Sequence, residues 1–175
     1  MASFTERMIG AATLDVATYE EVEHDTTATG QAAGVVALAA LAGAIGGFNE
    51  GGYGVIGGVV WSFIGWYIWS AVTLFIGTKV FNGTADMGEM LRTLGFANAV
   101  GVLKVVGFVP LLGWIASIVV GIWMLVCGVV AVRQALDFDT GKAIGTVILG
   151  WLVMVIVGFM VVGLTAGLFR AFGGG

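Results

Sequence analysis

Charge is what this chain most lacks. Only 10% of its 175 residues are Asp, Glu, Lys or Arg, against about a quarter in an ordinary soluble domain. Seven Lys and Arg stand against eleven Asp and Glu, a net charge of −4. With no basic patch to neutralise phosphates, the composition argues against nucleic-acid binding. The one cysteine, Cys127, sits in an uncharged run and has no partner for an intramolecular disulfide. The one histidine, His24, leaves no second Glu-x-x-His pair for a di-iron bundle and no assembled Ser/His/Asp set. The N-terminus is amphiphilic and acidic, without the basic start and immediate apolar core of a cleavable signal peptide, so the first apolar run is expected to act as an uncleaved insertion signal.

What is present is apolar sequence: 59% of residues are hydrophobic and mean hydropathy is +1.04. The long uncharged runs belong in a bilayer, and the length suits one bundle. The expected fold is an all-α integral membrane protein, a five-span helical bundle with an N-terminal cytoplasmic amphipathic helix. Spans are read at about residues 32–48, 54–78, 90–108, 111–132 and 143–169. Residues 1–30 form a separate acidic segment, and 31–172 the membrane domain. The first span is mostly Ala and Gly, which places it between other helices. A tight turn at Asn49–Gly52 leads to the second, whose Trp61, Trp66, Tyr67 and Trp69 read as packing residues. Asp86-x-x-Glu89 is a capping box opening the third span. Pro110 starts the fourth, where its missing N–H costs little. Asp139 or Thr140 caps the fifth, and Gly173–Gly175 is a tail.

Four stretches carry a family likeness: LRTLGFANAVGVL from Leu91, GFVPLLGWI from Gly107, IWMLVCGVVAVRQALDF from Ile122 and TGKAIGTVILGW from Thr140. They resemble the YIP (Ypt-interacting protein) family of five-span membrane proteins, prokaryotic members included. YEEVEHDTTATGQA, from Tyr19, is similar to the segment preceding the first span in such members. The resemblance implies a cytosolic N-terminus, and a non-enzymatic role like that of eukaryotic relatives, which bind Rab-type GTPases and act in vesicle budding and membrane shaping.

The N-terminal segment reads as one helix from Ser3 to about Val22, opened by a Ser3-x-x-Glu6 capping box. Phe4, Met8, Ala11, Ala12, Tyr19 and Val22 make its apolar face. Up to Asp25 it carries six acids and only Arg7, unlike the Lys- and Arg-rich helices that grip anionic lipid, so docking on protein is expected. An inward N-terminus puts Arg7, Lys79, Arg92, Arg133 and Lys142 in the cytoplasm and leaves Lys104 and Arg170 outside with the C-terminus, as the positive-inside rule favours. Lys79, Arg92, Arg133 and Lys142 at the bundle mouth are then expected to meet Glu20, Glu21, Glu23 and Asp25. Together with Tyr19, Asp137 and Asp139 these form the candidate docking surface for a cytoplasmic protein.

Other patterns are weaker. Glu21-x-x-His24 has di-iron spacing but reads as a solvated face. Asp137-x-Asp139-x-Gly141 resembles the start of a calcium loop but lacks its closing glutamate, and reads as helix capping. Asn82-Gly83-Thr84 fits a glycosylation acceptor but falls on the expected cytoplasmic side. Gly43 with Gly47, Gly54 with Gly58, Gly113 with Ser117 and Gly121, and Gly163 with Gly167 suit helix packing, with homo-oligomerisation the lesser use. Arg92, Asn98 and Lys104 form a candidate polar track on the third span. Arg92 and Asn98 are expected near one face, with Lys104 drifting around. The reading is a membrane adaptor or organiser with no cofactor, with a small channel, transporter or lipid-handling protein as the alternative. Membrane lipids are the expected environment, and no nucleic acid is expected as a partner.

Overall fold

A computed structural model describes residues 2–47, 54–109 and 112–172, with side chains through residue 163. The Asn49–Gly52 turn, Pro110, the Gly173–Gly175 tail and the Arg170 side chain lie outside the described residues. Helices are α1 (Phe4–Ala12), α2 (Val16–His24), α3 (Thr29–Ile45), α4 (Gly54–Val80), α5 (Met87–Ala97), α6 (Leu112–Ala135) and α7 (Thr140–Phe172). A short 3₁₀ turn, Thr26–Ala28, leads into α3, and α5 continues as a 3₁₀ segment, Asn98–Phe108. Five helical stretches are long and apolar enough to cross a membrane: Thr26–Ile45, Gly54–Val80, Met87–Phe108, Leu112–Ala135 and Thr140–Gly163. The protein is an all-helical integral membrane protein.

Burial ranks the spans. Half of the third and 39% of the first are buried, against 17% of the second and fifth. The small residues of α3 explain its central place. A Cβ on Gly95 of α5 would stand 2.6 Å from the Cβ of Ala32, and one on Gly101 would stand 2.8 Å from the Cβ of Ala39. Backbones can approach that closely only where side chains are absent. Both expected capping boxes form. Ser3 and Glu6 exchange side-chain-to-backbone bonds of 3.3 and 2.7 Å. Asp86 and Glu89 do the same at 2.9 and 2.8 Å. At α7 the cap is Asp139, whose Oδ1 accepts from the Lys142 N–H at 3.0 Å.

Three local expectations are corrected. The N-terminal segment is two helices, not one. At Leu14 (φ 66°) the chain enters the left-handed region, Asp15 N–H donates to the Gly10 carbonyl at 2.9 Å, and Asp15 then caps α2 through Ala17 N–H and Thr18 Oγ1. The third span is only half α-helix. Beyond Asn98 the run rich in Val and Gly, a poor α-helix former, tightens to three residues per turn. The fourth span runs to Ala135 rather than 132. Asp137 (φ 53°) ends it, with Asp137 N–H donating to Gln134 and Phe138 N–H to Arg133, a Schellman-type stop.

The N-terminal helices do not form a separate layer. Ala11, Tyr19 and Val22 are fully buried in one core with Ala32, Val35, Met90, Phe96, Cys127 and Val132. They lie alongside α6. Trp123 Nε1 donates to the Ala12 carbonyl at 2.7 Å, twelve residues or about 18 Å of helix from Ala135. The expected small-residue packing is mixed. Gly113 lies against Gly107 and Gly43 against Lys104, while Gly47, Gly54, Gly121 and Gly163 have nothing within 4 Å of a built Cβ.

Candidate functional site

The last carbonyls of any helix have no intrahelical partner. In α1 and α2 some partners are local, as where Leu14 N–H donates to Ala11 and Asp25 N–H to Glu21, and others are side chains from α2 and the bundle. Tyr19 Oη donates to the Ala11 carbonyl at 3.0 Å, and Cys127 Sγ lies 3.7 Å from the same oxygen. Trp123 takes Ala12. At the end of α2, Arg92 Nε donates to the Val22 and Glu23 carbonyls at 3.0 and 2.9 Å, and its Nη2 also bonds Glu23. Arg92 is 6% exposed. A planar cation directed at the negative end of a helix satisfies both the orphan carbonyls and the helix dipole.

Arg7, 1% exposed, is the second anchor. Its Nη2 bridges Glu21 at 2.8 Å and Asp25 at 2.7 Å, and its Nη1 donates to Gln31 Oε1 at 3.0 Å. Thr27 first and Arg7 second hold the Asp25 carboxyl down at about 2. Arg7 is the first cause of the lowered Glu21. These are the only ion pairs among the described residues.

The expected pairing across the bundle mouth is therefore corrected. Glu21 and Asp25 meet Arg7 of their own segment, and Arg92 meets α2 through backbone carbonyls. Glu20 accepts from Gln134 Nε2 of α6. Arg133 donates to the neighbouring Gln134 at 2.8 Å, Lys142 stands 5.6 Å over the Phe138 ring, and Lys79 is exposed at the end of α4. Asp137 and Asp139 are exposed, Asp137 Oδ2 accepting from Thr84 Oγ1 at 3.2 Å.

Glu23 is 5% exposed, and its Oε2 has no hydrogen-bond partner among the described residues. Burial first, then Glu20, pushes its carboxyl up to about 7. One ligand atom from each of Glu20, Glu23 and His24 lies within 4.8 Å of the others. Since a carbonyl can only accept, His24 Nδ1, 2.8 Å from the Glu20 carbonyl, carries the proton, and Nε2 keeps its lone pair when the ring is neutral. Glu21, the residue of the Glu-x-x-His spacing, points instead to Arg7. The useful triplet is i, i+3, i+4, a spacing legible in the sequence as one helix face.

The polar track divides. Six residues of α-helix turn the chain by about 240°, so Arg92 and Asn98 do not share a face, and Arg92 is buried at α2. Asn98 and Lys104 are two full turns apart in the 3₁₀ segment, so Asn98, Gly101 and Lys104 fall on one edge. Both polar residues line a cavity of about 550 Å³ between α3, α4, the 3₁₀ segment and α6. Asn98 Nδ2 donates to the Leu94 carbonyl at 2.8 Å.

A polytopic helical bundle, with a short helical pair set against one end, is the class these features define. The description Yip1 domain matches residues 16–162. The chain belongs to the Yip1 domain family. Neither the curated proteins nor the solved structures contain a match.

Proposed function

We propose that this protein is a non-enzymatic organiser of the membrane whose polar end, built from α1, α2 and the loops beside them, faces the cytoplasm and holds a protein partner. The observation that carries the reading is the fixing of α1 and α2 alongside the bundle by Arg92 and Trp123, with Tyr19 joining the two helices to each other. Seven helices then stand at one end where five continue. A helical pair added to one side of a membrane favours curvature, which fits a shaping role of the kind found in relatives of this family. Arg7, Lys79, Arg92, Arg133 and Lys142 lie in the segments at that end, which by the positive-inside bias supports a cytoplasmic N-terminus and an external C-terminus.

The surface offered to a partner differs from the acidic helix alone. Arg7, Gln134 and burial occupy most of the Glu20–Asp25 carboxylates, while Asp86, Asp137 and Asp139 stay exposed, as do Lys79 and Lys142. Deleting residues 2–25 would open the core, so charge reversal is the sharper test. The full chain and a Lys79→Glu/Asp137→Asn/Lys142→Glu variant, which leaves the Asp86 and Asp139 caps in place, are extracted mildly from native membranes and their co-purifying proteins compared. A protein retained by the full chain and lost from a variant of unchanged melting temperature supports the reading. Both forms emerging alone overturns the partner role.

A further inference from the structure

We propose that the cavity containing Lys104 is a site for one anionic phospholipid, drawn from the leaflet opposite α1 and α2. This is independent of the protein-partner reading. Lys104 is the only charged residue in the lining, and no carboxylate pairs with it among the described residues. Its stem crosses α3 at Gly43, where a built Cβ would lie 3.6 Å from Lys104 Cδ. That distance is van der Waals contact, so the lysine stem packs along α3 at the cavity wall.

Depth orders the lining. The chain direction of each helix puts Gly58 of α4, Lys104 and Ser117 of α6 toward the end far from α1 and α2. Trp69, Leu94 and Val147 lie deeper. From Ser117 to Gly128 the wall runs eleven residues, about 16 Å, roughly one leaflet of a 30 Å hydrocarbon core. Lys104 stands four residues, about 8 Å of 3₁₀ helix, from the end of its span at Phe108. A cation near headgroup level, the one charge in the described lining, above an apolar, small-residue channel one leaflet deep matches a phosphate with an acyl chain beneath it. The volume lies within the range of about 300–1,000 Å³ usual for ligand sites. Asn98 sits two turns, about 12 Å, below Lys104 on the same edge, at the depth of the acyl chain, with its Nδ2 turned to the Leu94 carbonyl.

The test uses the full chain in detergent, offered equal phosphatidylglycerol and phosphatidylcholine of matched acyl chains, with retained lipid counted by native mass spectrometry. The full chain should prefer phosphatidylglycerol about tenfold, the effect of one charge-assisted contact. Lys104→Gln should make retention equal and Lys104→Arg should keep the preference. Gly121→Leu, which enters open space at the cavity wall, should lower retention of both lipids with no loss of melting temperature. Equal retention by the unaltered chain, or an undiminished preference in Lys104→Gln, overturns the proposal. So does displacement of the lipid by tail-less glycerol phosphate as readily as by lysophosphatidylglycerol, because the site would then read an anion and not a lipid.

Discussion

The two ends of this bundle are built from similar apolar helices and packed very differently. At the end carrying α1 and α2, α4 buries Ser70, Thr73, Ile76 and Gly77, and α6 buries Cys127, Ala131, Val132, Gln134 and Ala135. At the far end Ile56, Phe108, Trp114 and Phe159 are 67–82% exposed, and the cavity opens between the helices. The difference follows from where polar groups are. Helix ends and buried arginines need partners, and satisfying them fixes geometry. Apolar side chains facing lipid need none, since lipid tails are as apolar as Leu.

If polar anchoring is what makes one end rigid, Arg92→Ala should be the most damaging single change. It leaves the Val22 and Glu23 carbonyls without a donor, and about 3 kcal/mol of stability should be lost. Thermal unfolding in detergent, with faster proteolysis at Thr13–Val16, would register it; a variant melting with the unaltered protein would break the comparison.

The same substitution at the two ends sharpens it. Gly95→Ala meets Ala32, backbone included, and should cost about 1–3 kcal/mol by overpacking. Gly158→Ala meets nothing within 4 Å and should stabilise α7 by up to about 1 kcal/mol. Equal melting temperatures would refute the packing difference.

Glu23 adds a pH signature to the anchored end. Its folded carboxyl holds a proton up to about 7, above the unfolded value of about 4.3. The stability it contributes is therefore complete below about pH 4 and is lost as pH rises through about 7, at up to about 1.4 kcal/mol per unit. Glu20 and His24 on α2, Glu89 and Arg92 on α5 and Asp137 beyond α6 surround it. Glu23→Gln should flatten melting temperature between about pH 4.3 and about pH 7, the window the two values bracket; an unchanged slope would assign the dependence elsewhere.

Tyr19→Phe removes one buried hydroxyl donor to Ala11 and should cost about 1 kcal/mol in the same melts. Lys142→Ala removes an exposed cation over Phe138 and should change stability by no more than about 0.5 kcal/mol. A larger loss at Lys142 than at Tyr19 would reverse the ranking on which the comparison rests.

Much of this was legible beforehand. Asp86-x-x-Glu89 and Ser3-x-x-Glu6 state their caps locally, so they form as read. The break at Leu14 was not legible, because a leucine in the left-handed region carries no compositional sign, although Asp15 followed by Thr18 is a capping pattern that could have prompted it. Arg92 was read as facing carboxylates because sequence shows side chains and not which carbonyls will be orphaned. The shared edge of Asn98 and Lys104 was missed for a similar reason. Their alignment depends on a 3₁₀ winding that six residues of α-helix would contradict.

Sequence by itself determined that this chain has five stretches long and apolar enough to cross a membrane and belongs to its family, since hydrophobic length and local motifs act through neighbouring residues. The tertiary structure decided which polar groups meet. Arg7 takes Glu21 and Asp25, Arg92 closes α2, and Lys104 lines a cavity with no ion pair among the described residues. Those outcomes depend on which helix ends and small residues are brought together across distant parts of the chain, and in a medium that offers no water each polar group settles on whatever partner the packing places within reach.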